Sequence, residues 1–294
     1  MTDNKKSYIF ALITVLMWST VPTMFKLTLR HYSVYQFVFI SSLTSTIVFI
    51  PFLIKSKPSI HHFFRNLKSS MITGILNPFL YYVILLKAYS LLPAQLAQPL
   101  NMIWPITLVL LSIIFLKHKM KKIEFIPIFF CLIGVLIIAT EGDFTSLNFS
   151  SPYGVFLALI SSIIWSSYWI LNVKSKLESE LKLFYNFLVG TVISGIFMLT
   201  DLTSSSSSLN GFYGAVYIGF FEMGIAFLLW FKAMKLTKNS SNIAKLIYIA
   251  PFLSLYLLTI FVGEEIRVST IIGALVIIVS IFFHEKVKIS SSDG

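Results

Sequence analysis

LKAYSLLPAQLAQPLNMIWPITLVLLSIIFLKHKMKKIEFIPIFFCLIGVLII, residues 86–138, is a passage that this chain states twice. From Phe231 it runs FKAMKLTKNSSNIAKLIYIAPFLSLYLLTIFVGEEIRVSTIIGALVIIVS, so Lys87-Ala88 returns as Lys232-Ala233 at a shift of 145 and Pro105 as Pro251 at a shift of 146. At that second shift Pro127 faces Gly273 and Gly134 faces Ser280. The start of each half agrees: Ala11-Leu12-Ile13 and Trp18-Ser19 recur as Ala158-Leu159-Ile160 and Trp165-Ser166, displaced by 147. Similarity at one long period marks a duplicated unit, and it divides the chain into residues 1–145 and 146–294.

The composition excludes a surface built to face water. Hydrophobic residues make up 56% and charged residues 12%, about half the charge of an average soluble domain. With a mean hydropathy of +0.85, the chain reads as an integral membrane protein. Its net charge of +11 does not mark a nucleic-acid binder, because the basic residues fall in short clusters between apolar stretches rather than along one face. Cys131 is the single cysteine and lies in an apolar stretch, which leaves neither a disulfide framework nor a thiolate metal site. The first apolar stretch follows Lys5-Lys6 as a signal peptide would, yet it runs about 22 residues without a small-x-small cleavage site and is read as a retained helix.

A bilayer core takes about 20 apolar residues of helix, and ten stretches meet or approach that length. In the first half they are Tyr8–Leu29, Val34–Ile54, Met71–Leu91, Ala94–Leu116 and Phe125–Thr140. In the second they are Tyr153–Val173, Leu183–Thr200, Phe212–Phe231, Ser241–Val262 and Thr270–His284. The fifth, seventh and tenth are the shortest. With the N-terminus in the cytoplasm, 18 of the 23 lysines and arginines fall in cytoplasmic segments, against three outside (Arg30, Lys87, Arg267) and two within spans (Lys26, Lys245). Basic loops stay inside, so both termini are expected in the cytoplasm. The Ser204–Ser208 run reads as a connector without chemistry of its own. Five spans per copy make the second copy enter from the opposite side. The expected fold is therefore all-α and membrane-embedded, ten helices in two inverted five-helix repeats, an arrangement that transporters use to open a central site to either side in turn.

Glu222, inside the eighth span in GFFEMGIAFLLW, is the most costly group in the chain. An intramembrane carboxylate costs several kcal/mol when charged and is functional by default. It reads as a proton site or a counter-charge for an amine, and alternatively as a structural carboxylate bonded to a neighbouring helix. Lys245 in the ninth span is a candidate partner: at about 1.5 Å of rise per residue it lies about 6 Å into the membrane and Glu222 about 14 Å. Lys245 can instead snorkel to the surface, as can Lys26 from the outer end of the first span.

Other polar and aromatic groups gather on helical faces. Trp165, Tyr168, Trp169 and Asn172 follow i, i+3, i+4, i+7 on the sixth span, and Ser19, Thr23 and Lys26 make a similar stripe on the first. Gln98, Asn101 and Pro105 share a face of the fourth, flanked by Gln95 and Trp104, while Asn77, Tyr81 and Tyr82 mark the third and Tyr248 the ninth. Amides in lipid must find partners, so these faces point into the bundle. Each aromatic taken singly reads equally as packing or an interfacial anchor. Together they describe a cavity for a small organic zwitterion or aromatic metabolite. Pro22, Pro78, Pro99, Pro105 and Pro251 interrupt spans and free carbonyls that line such a cavity or act as hinges. H-E-x-x-H, G-x-S-x-G, G-x-x-x-x-G-K-[ST] and C-x-x-C are missing, so no enzyme chemistry, ATP drive, metal or cofactor is indicated. His61-His62, in a basic loop, reads as a solvated pair.

MWS in the first helix answered by IWS in the sixth, KAYSLLPAQLAQPLNMIWP leading into a basic loop, and GEEIRVSTIIGALVIIVS at the end resemble the EamA family of the drug/metabolite transporter superfamily. The resemblance spans nearly the whole chain. WST at Trp18–Thr20 and NMIWP at Asn101–Pro105 are similar to the bacterial aromatic amino acid exporter group. The resemblance implies a basket-like bundle whose cavity is lined by the first, third, fourth, sixth, eighth and ninth helices. Lys117-His118 stands where the family often has the Gly-Glu that Gly263-Glu264 keeps.

The function expected is a secondary active transporter of amino acids or related zwitterions, exporting by alternating access across a bacterial inner membrane, with protons as a candidate coupling ion. Its partners are the lipid bilayer and a small organic solute, not nucleic acid. The substrate-site residues expected are Trp18, Ser19, Asn77, Tyr81, Gln98, Asn101, Trp104, Trp165, Tyr168, Trp169, Glu222, Lys245 and Tyr248. Uptake or exchange of nucleotide-like metabolites, and a channel or sensor without turnover, are the alternatives.

Overall fold

Some helix starts in this chain follow from chemistry close by in the sequence. Ser33 caps α2 (Val34–Ser56) by accepting from Gln36 N while the Gln36 side chain accepts from Ser33 N, and Ser59 starts α3 (Ile60–Gly74) by accepting from His62 N. This computed structural model describes residues 3–116, 123, 125–143, 151–173, 177–201, 208–237, 243 and 245–292. Among them there is helix and no strand. The Lys117–Lys122 cluster with His118, Lys174, Lys176, Lys238, Ser204–Ser207 and the boundary between residues 145 and 146 lie outside the described residues.

The remaining helices are α1 (Asp3–Leu29), α4 (Tyr81–Leu91), α5 (Ala94–Asn101), α6 (Trp104–Leu116), α7 (Phe125–Ala139), α8 (Pro152–Val173), α9 (Ser179–Thr200), α10 (Leu209–Tyr217), α11 (Phe227–Leu236), α12 (Ala250–Phe261) and α13 (Val268–Ser292). Wider π-type turns join α3 to α4 across Ile75–Leu80 and α10 to α11 across Ile218–Ala226, and a 3-10 turn, Lys245–Ile249, leads into α12. Seven stretches are long and apolar enough to cross a membrane: Asp3–Leu29, Val34–Ser56, Ile60–Leu91, Ala94–Phe115, Pro152–Asn172, Ser179–Thr200 and Leu209–Leu236. Phe125–Ala139, Lys245–Phe261 and Val268–His284 are shorter apolar helices. The outer surface is apolar: Leu16, Ile47, Ile72, Ile114, Phe129 and Val279 are all more than half exposed. Such a surface is larger than a soluble monomer presents and suits a lipid environment.

Several boundaries differ from those expected, and two of them have a clear packing reason. The third span begins at Ile60 rather than Met71, because the Ser59 cap opens a helix whose Phe63 and Leu67 pack on the core while Arg65 and Lys68 stay exposed. His61 and His62 are exposed on its first turn, where Ser59 Oγ lies 2.8 Å from His62 Nδ1. The seventh span begins at Ser179 and runs 22 residues. Its polar first turn is held by the bundle: Glu180 pairs with Lys235 at 3.7 Å, and buried Lys182 donates to Ser70 Oγ at 3.4 Å.

Packing between the halves is reciprocal. α2 runs along α9, α7 along α13, α4 along α8, and α1 along α11 and α12. Where α2 meets α9, Thr46 Oγ1 and Thr191 Oγ1 lie 3.1 Å apart. Their separation of 145 residues equals the shift between the two Lys-Ala pairs. Where α7 meets α13, a Cβ on Gly134 would lie 2.8 Å from Gly273 O, and one on Gly273 would lie 2.8 Å from Gly134 O. Only glycine lets these backbones approach so closely.

Candidate functional site

The cavity between the halves is positioned by two departures from regular helix. Pro78 has no N–H to give and pushes Asn77 into extended geometry (φ −145°, ψ 120°), which breaks the third span and re-aims α4. The π-type turn at Ile218–Ala226 leaves carbonyls free of the regular ladder. Hydroxyls from other helices take them up: Ser45 Oγ donates to Met223 O at 3.1 Å and Thr14 Oγ1 to Ala226 O at 3.4 Å. Glu222 is carried on this turn, buried, and faces the cavity.

The cavity measures about 370 Å³. All five tryptophans of the chain line it: Trp18, Trp104, Trp165, Trp169 and Trp230. Trp18 sits 5.2 Å from the Trp230 ring, and Trp165 sits 4.7 Å from the Tyr81 ring. Tyr82 Oη donates to Glu222 Oε1 at 2.5 Å, while Glu222 Oε2 has no partner among the described residues. A short relay runs along the wall beside Tyr82, with Tyr81 Oη donating to Asn101 Oδ1 at 3.3 Å and Asn101 Nδ2 to Ser161 Oγ at 2.8 Å. Gln98 Nε2 donates to Ser254 Oγ at 2.9 Å, which leaves its Oε1 without a partner, as is the Nε1 of Trp169.

Of the residues expected at the site, Trp18, Tyr81, Gln98, Asn101, Trp104, Trp165, Trp169, Glu222 and Tyr248 line this one cavity. The other four stand off it. Ser19 is buried and donates to Val15 O at 2.6 Å within its own helix. Asn77 is fully buried at the break it creates, and Tyr168 is buried behind the wall, accepting from Asn186 Nδ2 at 3.2 Å. Lys245 begins the 3-10 turn outside the cavity, and no ion pair joins it to Glu222 among the described residues. The carboxylate has a tyrosine where a lysine was expected. Trp230 lay on a legible signal: it follows Glu222 by eight residues, about two helical turns, and so shares its face. Phe25, Tyr89 and His284 also line the cavity. His284 brings the last helix into a wall for which the family pattern implied only the first, third, fourth, sixth, eighth and ninth.

One end of the bundle is tied by a second carboxylate. Glu264 accepts from Ala94 N at 2.8 Å and Gln95 N at 3.0 Å, capping α5 from 170 residues away where Pro93 offers no side-chain cap. Lys26 does not snorkel: its Nζ donates to Tyr89 O and Leu92 O, both at 3.0 Å, and stands 3.9 Å from Glu264. Gln95 donates to Glu265 O at 2.5 Å and accepts from Arg267 N at 3.0 Å, and Arg267 pairs with Glu141. Helix N-termini favour negative charge, so Glu264 fastens the loop before α13 to the start of α5.

The model of the EamA-like transporter family matches residues 5–140 and again residues 152–284. An uncharacterized transporter of Clostridium kluyveri is 25% identical over 291 residues, covering 94% of this chain and 91% of that protein. An uncharacterized transporter of Archaeoglobus fulgidus is 22% identical over 285 residues, covering 94% of this chain and 98% of that protein. A solved crystal structure shares the fold with a TM-score of 0.65 at 18% identity, covering 95% of this chain and 96% of that one.

Proposed function

The chain belongs to the EamA-like transporter family, and on that premise we propose that it is a secondary active transporter that moves a small organic metabolite bearing an amino group, the class that includes amino acids and related zwitterions. The observation that carries this reading is the single cavity whose wall draws Trp18, Tyr81 and Trp104 from the first half and Trp165, Glu222 and Tyr248 from the second. A site built at the seam of two halves changes its exposure when they rock against each other, which is alternating access.

The proposed architecture is two inverted five-helix repeats, residues 1–145 and 146–294, in a bacterial inner membrane with both termini cytoplasmic. The reciprocal packing of the halves, the twofold family match and the asymmetry of lysine and arginine support it. On that topology the Glu264 clasp holds the outer end while the cavity serves the solute, and export is the direction assigned. The similarity of WST and NMIWP to aromatic amino acid exporters agrees with the tryptophan-rich wall.

Counterflow in liposomes tests the reading. Vesicles loaded with unlabelled phenylalanine or phenethylamine and given a labelled trace outside are expected to show a transient overshoot that saturates with concentration. Uptake that rises linearly without overshoot for every amine offered would mean a pore and overturn it.

A further inference from the structure

The cavity's unpartnered polar atoms differ sharply in charge. Two are acceptors, Glu222 Oε2 and Gln98 Oε1, both on side chains more than nine-tenths buried. The described wall also carries two ring nitrogens, the neutral indole N–H of Trp169 and Nε2 of His284. Among the described residues no lysine or arginine lines the cavity. Part-buried Lys26 and buried Lys182 are committed elsewhere, to the Tyr89 and Leu92 carbonyls and to Ser70. His284 is the one imidazole of the described wall and has an interaction within the protein that does not involve a hydrogen bond at Nε2.

A zwitterion entering such a site finds a carboxylate for its ammonium and, among the described residues, these ring nitrogens but no lysine or arginine for its own carboxylate. Stripping water from a carboxylate without a lysine or arginine partner is strongly unfavourable, and ring N–H donors offset only part of it. The ammonium fares differently. Glu222 Oε2 accepts one of its hydrogens, and the tryptophan faces attract the positive charge through their quadrupoles.

We propose that this cavity selects organic monocations, aryl or alkyl amines without a free carboxylate, with the ammonium paired to Glu222 and the apolar body held among the tryptophans. The proposal rests on the carrier reading and narrows it: within the amine-bearing class, the decarboxylated or esterified member is preferred over the amino acid. Glu222 is the residue that reads the charge, and Tyr82, by donating to Oε1, leaves Oε2 for the ammonium.

Because every tryptophan lines the cavity, intrinsic fluorescence of the purified full chain in nanodiscs reports on it directly. Titration with phenethylamine, phenylalanine methyl ester, phenylalanine and 2-phenylethanol varies charge on one aromatic body. The amine and the ester are expected to bind at least about tenfold more tightly than phenylalanine, since an unpaired buried carboxylate is rejected while a paired ammonium is not. In Glu222→Gln the amine should weaken by at least about tenfold, while 2-phenylethanol stays within about twofold and shows that the cavity is intact. Glu222→Asp, which shortens the carboxylate but keeps its charge, should retain the preference for the amine. Phenylalanine binding as tightly as its ester, or phenethylamine binding equally to Glu222→Gln, overturns the proposal. These are equilibrium measurements, so the two readings fail separately. Amine selectivity without counterflow sinks the carrier and leaves the selectivity, whereas counterflow with phenylalanine preferred does the reverse.

Discussion

The clasp around Glu264 and the cavity around Glu222 each hold one carboxylate mostly withdrawn from solvent, with 13% of the Glu264 side chain and 8% of Glu222 exposed. At Glu264 both oxygens are used by the protein, by two backbone N–H groups of α5 and by the Lys26 ammonium. At Glu222, a residue of the cavity wall, one oxygen takes the Tyr82 hydroxyl and the other has no partner among the described residues. A carboxylate whose hydrogen-bonding capacity is filled from within is part of the scaffold. One left half-filled in low dielectric is unfavourable to the fold by itself, and that deficit is what a ligand can repair.

Mutations at the two sites should therefore separate stability from solute binding. Glu264→Ala leaves two N–H groups at the α5 start and one ammonium without an acceptor, and is expected to lower stability by about 2–4 kcal/mol. Equilibrium unfolding in detergent measures it, and a loss below 1 kcal/mol would mean that water replaces the clasp. Lys26→Met removes the cation that caps the Tyr89 and Leu92 carbonyls, with an expected loss of about 1–2 kcal/mol. A double-mutant cycle between Lys26→Met and Glu264→Gln should give a coupling of about 1 kcal/mol or less. At 3.9 Å the pair is loose, and the lysine's shorter bonds go to carbonyls.

Glu222→Gln should behave in the opposite way. Its amide oxygen still accepts from Tyr82, so stability changes by less than about 1 kcal/mol even as recognition of the ammonium is lost. A large drop in melting temperature would move Glu222 into the same class as Glu264. The smallest effect is expected from Trp169→Phe, which keeps an aromatic face and deletes one unpartnered N–H. Solute affinity should shift by about two- to threefold, read by quenching of the four remaining tryptophans.

The contrast also explains what was legible beforehand. Glu222 stood out because a charge inside an apolar helix is unfavourable wherever the helix packs, and Trp165 and Trp169 stood out because i, i+4 spacing sets a face. The same spacing placed Tyr168 with them, yet Tyr168 turned behind the wall toward Asn186. A stripe is wider than the strip of helix that meets a cavity. Lys26 was misread for a different reason: snorkelling is a rule about one helix in lipid, and the carbonyls that hold Lys26 belong to α4 and to Leu92, more than 60 residues on.

By itself the chain's order of residues determined that it is helical and apolar enough for a bilayer, that one passage recurs at a shift of 145 to 147, and that Glu222 demands an explanation. Periodicity, composition and the cost of a buried charge are properties of single segments, and they survive any arrangement of neighbours. Only the tertiary structure decided that Glu222 meets Tyr82 rather than Lys245, that Glu264 caps a helix 170 residues away, and that all five tryptophans share one hollow. Those outcomes depend on the relative placement of helices far apart in the chain, where a shift of a few ångströms exchanges one hydrogen-bond partner for another.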